Sequence, residues 1–212
     1  MKFYNGWALP DYEKHFTRYL GNYPVNHYQD AILQEAIKIA GNTIAVDIGA
    51  NIGLQSVRLA QFFKEVHSFE PVESNWECLF ENTVNIGNVI SHCCGISDKV
   101  EELDIALPQS SNNSGAWSIV DFQNQSGVTT VSNKFLPLDA ILHDTSMNID
   151  LIKIDVQGYE MPVLRGSEEI LQRCSPVVLV EMHQNTDEIT QFLTDAGYFL
   201  HHRINKDGIW TK

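Results

Sequence analysis

Two acidic residues, Asp47 and Glu70, lie 23 residues apart, and each closes a short apolar run, Ile44-Ala45-Val46 for the first and Val66 to Phe69 for the second. Between them, Ile48-Gly49-Ala50-Asn51-Ile52-Gly53 reads as a strand turning into a helix. Glycines in such a turn let the backbone approach a ligand, and the helix start offers unpaired N–H groups. Asn51 stands where a third glycine often stands, and asparagine is the side chain that best tolerates left-handed backbone angles. Glu70, directly before Pro71, is placed to accept both hydroxyls of a ribose. Asp47 adds a negative charge that a pyrophosphate would not welcome. S-adenosylmethionine carries a ribose, an amino group and a sulfonium but no pyrophosphate, so the turn suits it better than NAD. The plainer alternative is a tight strand-to-helix connection with no ligand.

A second group of candidates closes two later apolar runs. Lys153-Ile154-Asp155-Val156-Gln157-Gly158-Tyr159-Glu160 ends the run starting at Leu151, and Glu181-Met182-His183 ends the run starting at Val177. Open α/β sheets bind ligands at the carboxyl ends of their strands, which brings Asp155 and Glu160 toward a transferring methyl group. Glu181 and His183 alternate with Met182 and share a face. Methyl transfer from a sulfonium is an in-line displacement, helped by holding the reactants aligned and dry, and an alcohol acceptor must also lose a proton. His183, with an ordinary pKa of about 6.5, is the better general base, and Asp155 serves if burial raises its pKa. A divalent metal held by Asp155, Glu181 and His183 to acidify a sugar diol ranks second, because no dedicated ligand spacing is present. The plainer alternative makes Glu160 a helix cap and His183 an exposed strand end.

The elements that must position these residues alternate. Thr43–Ile48, Val66–Phe69, Val89–Cys94, Leu151–Val156 and Val177–Met182 read as strands, and Leu54–Phe63, Ser74–Ile86, Met161–Arg173 and Asp187–Ala196 as helices. This alternation predicts a mostly parallel sheet covered on both faces. Tyr198–Ile204 and Gly208–Thr211 flank the turn Asn205-Lys206-Asp207-Gly208 and predict a closing antiparallel hairpin. That ending favours a Rossmann-like class I methyltransferase sandwich with seven strands over a dinucleotide-binding dehydrogenase. Residues 1–40 read as an irregular arm (1–27) followed by a helix, Asp30–Ala40. Residues 96–137, with strand-like pieces Leu103–Ala106, Trp117–Val120 and Val128–Val131, read as an inserted, lid-like segment within one domain spanning 1–212.

VDIGANIG, SFEP, ENTVNIGNV, LPLDAIL, DLIKIDVQGYEMPVLRG and VVLVEMH, in that order, resemble the FkbM-type S-adenosylmethionine-dependent methyltransferases over residues 43–183. The resemblance implies the class I methyltransferase fold and O-methyl transfer to hydroxyls of sugars, glycolipids or polyketide-type products. It also implies cofactor contacts from Asp47, Gly49, Asn51 and Glu70, with Gly53 closing the turn, and from Asp98 to the adenine amino group. Asp98 as a turn cap is the competing reading. Many relatives have Glu where this chain has Gln157, and a neutral amide cannot act as a base.

Composition narrows the partners. Of 212 residues, 14 are Lys or Arg and 27 Asp or Glu, a formal charge of −13 that disfavours nucleic acid. The absence of an Asn-Pro-Pro-Tyr-like motif points the same way. With 43% hydrophobic and 19% charged residues the chain is expected to fold, and no internal repeat is present. Cys78, Cys93, Cys94 and Cys174 form no CxxC pair, so neither a zinc site nor a disulfide framework is expected. No apolar run approaches the ~18 residues of a membrane span, and the start resembles no secretory leader, so a cytoplasmic protein is expected. The expected partner is a small-molecule or carbohydrate acceptor; oligomeric state leaves no mark in the sequence. An NAD(P)-dependent oxidoreductase and a degenerate methyltransferase fold acting as a binding module are the competing functions.

Overall fold

The strand Ile44–Ile48 is buried along its whole length, as a run apolar on both faces requires at the centre of a sheet. The computed structural model describes residues 1–20, 30–119, 127–182 and 185–212. In chain order the first elements are β1 (Lys2–Tyr4), β2 (Trp7–Leu9), α1 (Thr17–Leu20), α2 (Asp30–Ile39), β3 (Ile44–Ile48) and α3 (Leu54–Leu59). Then come β4 (Glu65–Phe69), α4 (Glu73–Thr83), β5 (Val89–His92), β6 (Gly95–Ile96), β7 (Glu101–Pro108) and β8 (Val128–Leu136). The rest are α5 (Leu138–Ile141), β9 (Ile149–Ile154), α6 (Glu160–Arg165), α7 (Glu168–Cys174), β10 (Val177–Glu181), α8 (Thr186–Asp195), β11 (Phe199–Ile204) and β12 (Asp207–Thr211).

Seven strands form the main sheet in the order β11-β12-β10-β9-β3-β4-β5. Its β5-β4-β3-β9-β10 part is parallel, and β12 runs antiparallel to both β10 and β11, as the hairpin pattern predicts. Period-2 alternation divides the core. Val46, Ile48, Ile152 and Ile154 pack with Val163, Leu164, Ile170 and Ile189 from α6, α7 and α8. Ala45, Leu151 and Leu179 pack with Ile32, Leu33 and Ala36 of α2 and Leu59 of α3.

Some predicted helices end before their patterns or break within them, and α4 stops at Thr83 rather than Ile86. The helix predicted from Leu54 stops at Leu59, where Phe62 and Phe63 both turn their N–H groups onto the Leu59 carbonyl. The long one over 161–173 is two helices, broken at Gly166-Ser167. There the backbone presses on the Ser97 carbonyl, which a Cβ on Gly166 would meet at 2.0 Å. The expected irregular arm contains a β1–β2 hairpin. Its turn, Asn5-Gly6, has φ of 50° and 84°, the left-handed pair that an Asn-Gly turn supplies. Asn82 of α4 holds this arm by accepting from the Ala8 amide (2.7 Å) and donating to the Ala8 and Ile52 carbonyls (3.0 and 2.8 Å). Residues 21–27, which the arm was expected to include, lie outside the described residues.

The 96–137 segment builds a small sheet of its own, β6-β8-β7, in which β7 and β8 pair from Glu101 with Phe135 to Pro108 with Val128. The Trp117–Val120 piece is not a strand: Ser118 makes a single bridge to Ala106, and Val120 lies outside the described residues. No helix among the described residues is long and apolar enough to cross a membrane.

One polar pair stands inside the main sheet. Asp47 and Lys153, in register on β3 and β9, form an ion pair at 3.0 Å, and Ser56 donates to the second Asp47 oxygen at 2.7 Å. The side chains are 0% and 6% exposed, so removing the ammonium strands a buried charge. Lys153→Met is expected to lower unfolding stability by about 3–5 kcal/mol in urea titrations. Lys99→Met, which removes a 69% exposed partner of Glu101, should cost under about 1 kcal/mol.

Candidate active site

The carboxyl ends of β3, β4 and β9 open into a shared cavity. Gly49, Asn51 and Glu70 line one part of it, Asp155 and Gln157 another, and Ile105, Trp117, Phe135 and Tyr159 supply apolar wall.

Gly49, Asn51 and Gly53 all take positive φ, at 79°, 51° and 89°, which explains two glycines and an asparagine at these positions. Gly49 is constrained twice, because a Cβ there would lie 1.9 Å from the Asp155 carbonyl oxygen. The Gly49 and Ala50 amides both donate to the Phe69 carbonyl at 3.0 Å, and the Asn51 amide donates to Glu70 Oε2 at 2.9 Å. Glu70 Oε1 accepts from the Val72 amide (3.0 Å) and from Asn75 Nδ2 (3.4 Å). Burial pushes the Glu70 carboxyl up to about 7, against these three donors. Glu70 thus fastens the glycine turn and lines the cavity with an acceptor group of near-neutral pKa.

An arm and a loop clasp this end. Buried Glu13 accepts from the amides of Phe16 (2.8 Å) and Ser114. Ser114 donates to Asn51 Oδ1 (3.1 Å), and its carbonyl accepts from Asn75 Nδ2 (3.1 Å). Trp117 Nε1 donates to the Tyr12 hydroxyl at 2.8 Å.

At the other end, Gln157 Nε2 donates to Asp155 Oδ1 (2.7 Å) and to Glu181 Oε2 (2.9 Å). Lys206, from the hairpin turn, forms an ion pair with the buried Glu181. Burial first, and the Asp155 charge second, push the Glu181 carboxyl up to about 7, with Lys206 opposing. Burial and Asp155 also raise the carboxyl of Asp207, which stands opposite Glu181 in the β10–β12 register.

Several expected contacts lie elsewhere. Asp47 does not line the cavity; it is fully buried within the sheet, where Lys153 and Ser56 occupy both its oxygens. Gly53 starts α3 against Leu79 of α4, and its φ of 89° is what requires glycine there. Asp98 is exposed in the turn after β6, while Gly95 and Ile96 before it line the wall. Glu160 is fully buried off the cavity and accepts from the Gly158 amide at 2.9 Å; burial raises its pKa. It braces the loop that precedes α6 and does not cap the helix, whose N-cap is Tyr159 with no side-chain capping bond. Glu181 stands behind Asp155 and does not line the main cavity, and His183 lies outside the described residues. Among the described residues no group of three or more His, Cys, Asp or Glu is placed to hold a metal ion.

Lys206, Glu13, Ser114 and the bridging role of Gln157 were not anticipated. A lone lysine in a hairpin turn and a glutamate in an arm carry no local signal for the site, since long-range pairing alone brings them to it.

The Methyltransferase FkbM domain family matches residues 47–200. A hexuronic acid methyltransferase of Haloferax volcanii is 27% identical over 154 residues, covering 71% of this chain and 61% of its own length. Methyltransferase 1 of Beauveria bassiana is 24% identical over 149 residues, covering 60% of this chain and 59% of its own. The chain therefore spans about three-fifths of the length of these curated relatives. The crystal structure of Methyltransferase FkbM from Methylobacillus flagellatus superposes with a TM-score of 0.57 at 18% identity, covering 88% of this chain and 47% of that one. That likeness gives the fold, a Rossmann-like class I methyltransferase sandwich.

The contact between the glycine turn and the Asp155 loop can be isolated by comparing two glycines. Gly87 shares a positive φ (85°) but would meet nothing within 4 Å. Gly87→Ala is expected to cost about 1 kcal/mol from backbone strain, and Gly49→Ala at least about 2 kcal/mol more, read from urea midpoints.

Proposed function

The chain belongs to the FkbM methyltransferase family, and on that premise we propose that it moves a methyl group from S-adenosylmethionine to a hydroxyl of a sugar, glycan or related small molecule. The observation that carries this reading is one cavity bounded by an acceptor carboxylate at each end, Glu70 beside the glycine turn and Asp155 beyond it. The residues fit the cofactor: a turn in which Gly49 brings no Cβ to the cavity, a buried carboxylate for a ribose, and a lining lysine, Lys153, whose charge is already paired with Asp47 rather than offered to a pyrophosphate. S-adenosylmethionine, when bound, supplies an electrophilic methyl group on a sulfonium sulfur.

The chain's own residues do the rest. Ionised Glu70 accepts hydroxyl hydrogens while its hold on the Asn51 amide keeps the turn in place. Asp155 lines the cavity with one oxygen fixed by Gln157, leaving the other to orient an acceptor hydroxyl and take its proton. Trp117, Ile105, Phe135 and Tyr159 give an apolar wall that excludes water and suits the faces of a sugar ring. A carbohydrate acceptor also agrees with the name of the Haloferax volcanii relative.

Calorimetric titration of the protein with S-adenosylmethionine, S-adenosylhomocysteine and NADH tests the cofactor. The two sulfur nucleosides are expected to bind, NADH is not, and Glu70→Ala should abolish the binding. Binding of NADH alone, or of none of the three, overturns the proposal.

The Glu70 carboxyl, at about 7 in the free protein, adds a signature. Ribose hydroxyls favour its ionised form, so below that pH binding must expel a proton. Affinity for S-adenosylhomocysteine should rise from about pH 5.5 to about pH 7.5 and then level. The binding enthalpy near pH 6.5 should vary with the ionisation enthalpy of the buffer, and Glu70→Gln should weaken both dependences.

A further inference from the structure

We infer that Gln157 is a positioning residue whose side-chain amide takes the place of a cation between Asp155 and Glu181, holding the two carboxylates together with Asp155 on the cavity wall. Its link to methyl transfer rests on the function proposed above; the geometry itself does not.

The Gln157 amide nitrogen has two hydrogens, and both are engaged, toward Asp155 Oδ1 at 2.7 Å and Glu181 Oε2 at 2.9 Å. The surrounding charges show why a donor is needed there. Asp47 is neutralised by Lys153 at 3.0 Å, and Glu181 by Lys206. Asp207 stands opposite Glu181 in the β10–β12 register and adds a further carboxylate. Asp155, Glu181 and Asp207 thus line one small pocket together with Lys153, whose charge is spent on Asp47, while Lys206 serves Glu181. Among the described residues Asp155 makes no ion pair, and its side-chain donor is Gln157. Without the amide, two carboxylates would face each other with nothing between them, and one would keep a proton. Burial is the first cause that raises the Glu181 carboxyl, and the Asp155 charge adds to the rise even with the amide in place.

The backbone is bent to deliver this amide. Gln157 has φ 52° and Gly158 has φ 96°, so the chain leaves β9 through two successive left-handed residues. Glutamine gains nothing from that conformation by itself, unlike asparagine or glycine, and such an outlier persists where surrounding bonds hold it. One of those bonds joins the site to the inserted segment: Ser118 Oγ donates to the Gln157 carbonyl at 3.1 Å. Ser118 also pairs with Ala106 of β7, so the position of Gln157 is coupled to the small sheet that roofs the cavity.

The test follows the carboxylates and needs no acceptor. In full-length protein with ¹³C-labelled Asp and Glu carboxyl groups, the Asp155 and Glu181 signals are assigned with Asp155→Asn and Glu181→Gln and titrated by NMR. Gln157→Leu, of similar volume and without donors, is expected to raise the apparent titration of the pair by at least about one pH unit, and Gln157→Glu by more. An unchanged titration in a folded Gln157→Leu protein overturns the proposal. Should the variants not fold, the wild-type protein decides by itself. Both Gln157 Nε2 protons should exchange slowly with solvent and shift as the pair titrates, whereas rapidly exchanging, pH-insensitive signals overturn the assignment. Binding of S-adenosylhomocysteine by the wild type is measured alongside. Its failure would count against the proposed function, and a failed carboxylate titration against the role of Gln157, so the two are told apart.

Discussion

The ion pair between Asp47 and Lys153 locks the two central strands, β3 and β9, at the ends where the chain leaves the sheet. A parallel sheet binds ligands there because consecutive strands release their loops on one side, and the loops can converge only if the strand ends are fixed relative to each other. Past the ion pair, the Asp155 amide extends the ladder by donating to the Ile48 carbonyl at 3.0 Å, and Gly49 presses on the Asp155 carbonyl. The turn that faces a nucleoside and the loop that faces an acceptor are thus one packed unit.

From this unit the two halves of the cavity follow different physical rules. At the glycine turn the work is done by backbone amides gathered on Glu70, which keeps a buried carboxylate from being an isolated charge. The arm and the inserted segment close over it through Glu13, Ser114 and Asn75, each satisfying a polar group that would otherwise be buried alone. At the acceptor end the rule is charge balance. Several carboxylates share a small volume with two ammonium groups, and the remaining repulsion is met by a neutral donor. A third acid at position 157 would have required a proton or a cation there.

Much of the architecture was legible in the sequence. Periodicities of 2 and 3.6 are local properties, so the order of strands and helices, the parallel sheet and the terminal hairpin could be read from apolar spacing and one polar turn. The glycine turn and Glu70 were legible because positive φ and a carboxylate at a strand end are demands on single positions. The breaks at Leu59 and Gly166 were not, since they arise from contacts with distant backbone. The Asn5-Gly6 hairpin carried a turn signal, masked by the aromatic residues around it.

What the sequence determined alone is therefore the fold class, the turn and the set of acids available for chemistry. Only the tertiary structure decided which of those acids reach the cavity. Asp47 and Glu70 end neighbouring strands in similar local contexts, yet one is consumed by Lys153 and the other lines the wall. Asp155 and Glu160 are five residues apart, and the left-handed step at Gln157 and Gly158 separates them, leaving Glu160 to brace the loop while Asp155 meets the cavity. Lys206 becomes part of the site because β12 lies beside β10. A side chain's role in a buried site depends on its counter-charges and donors, and these come from strands far apart in the chain, so local pattern does not encode them.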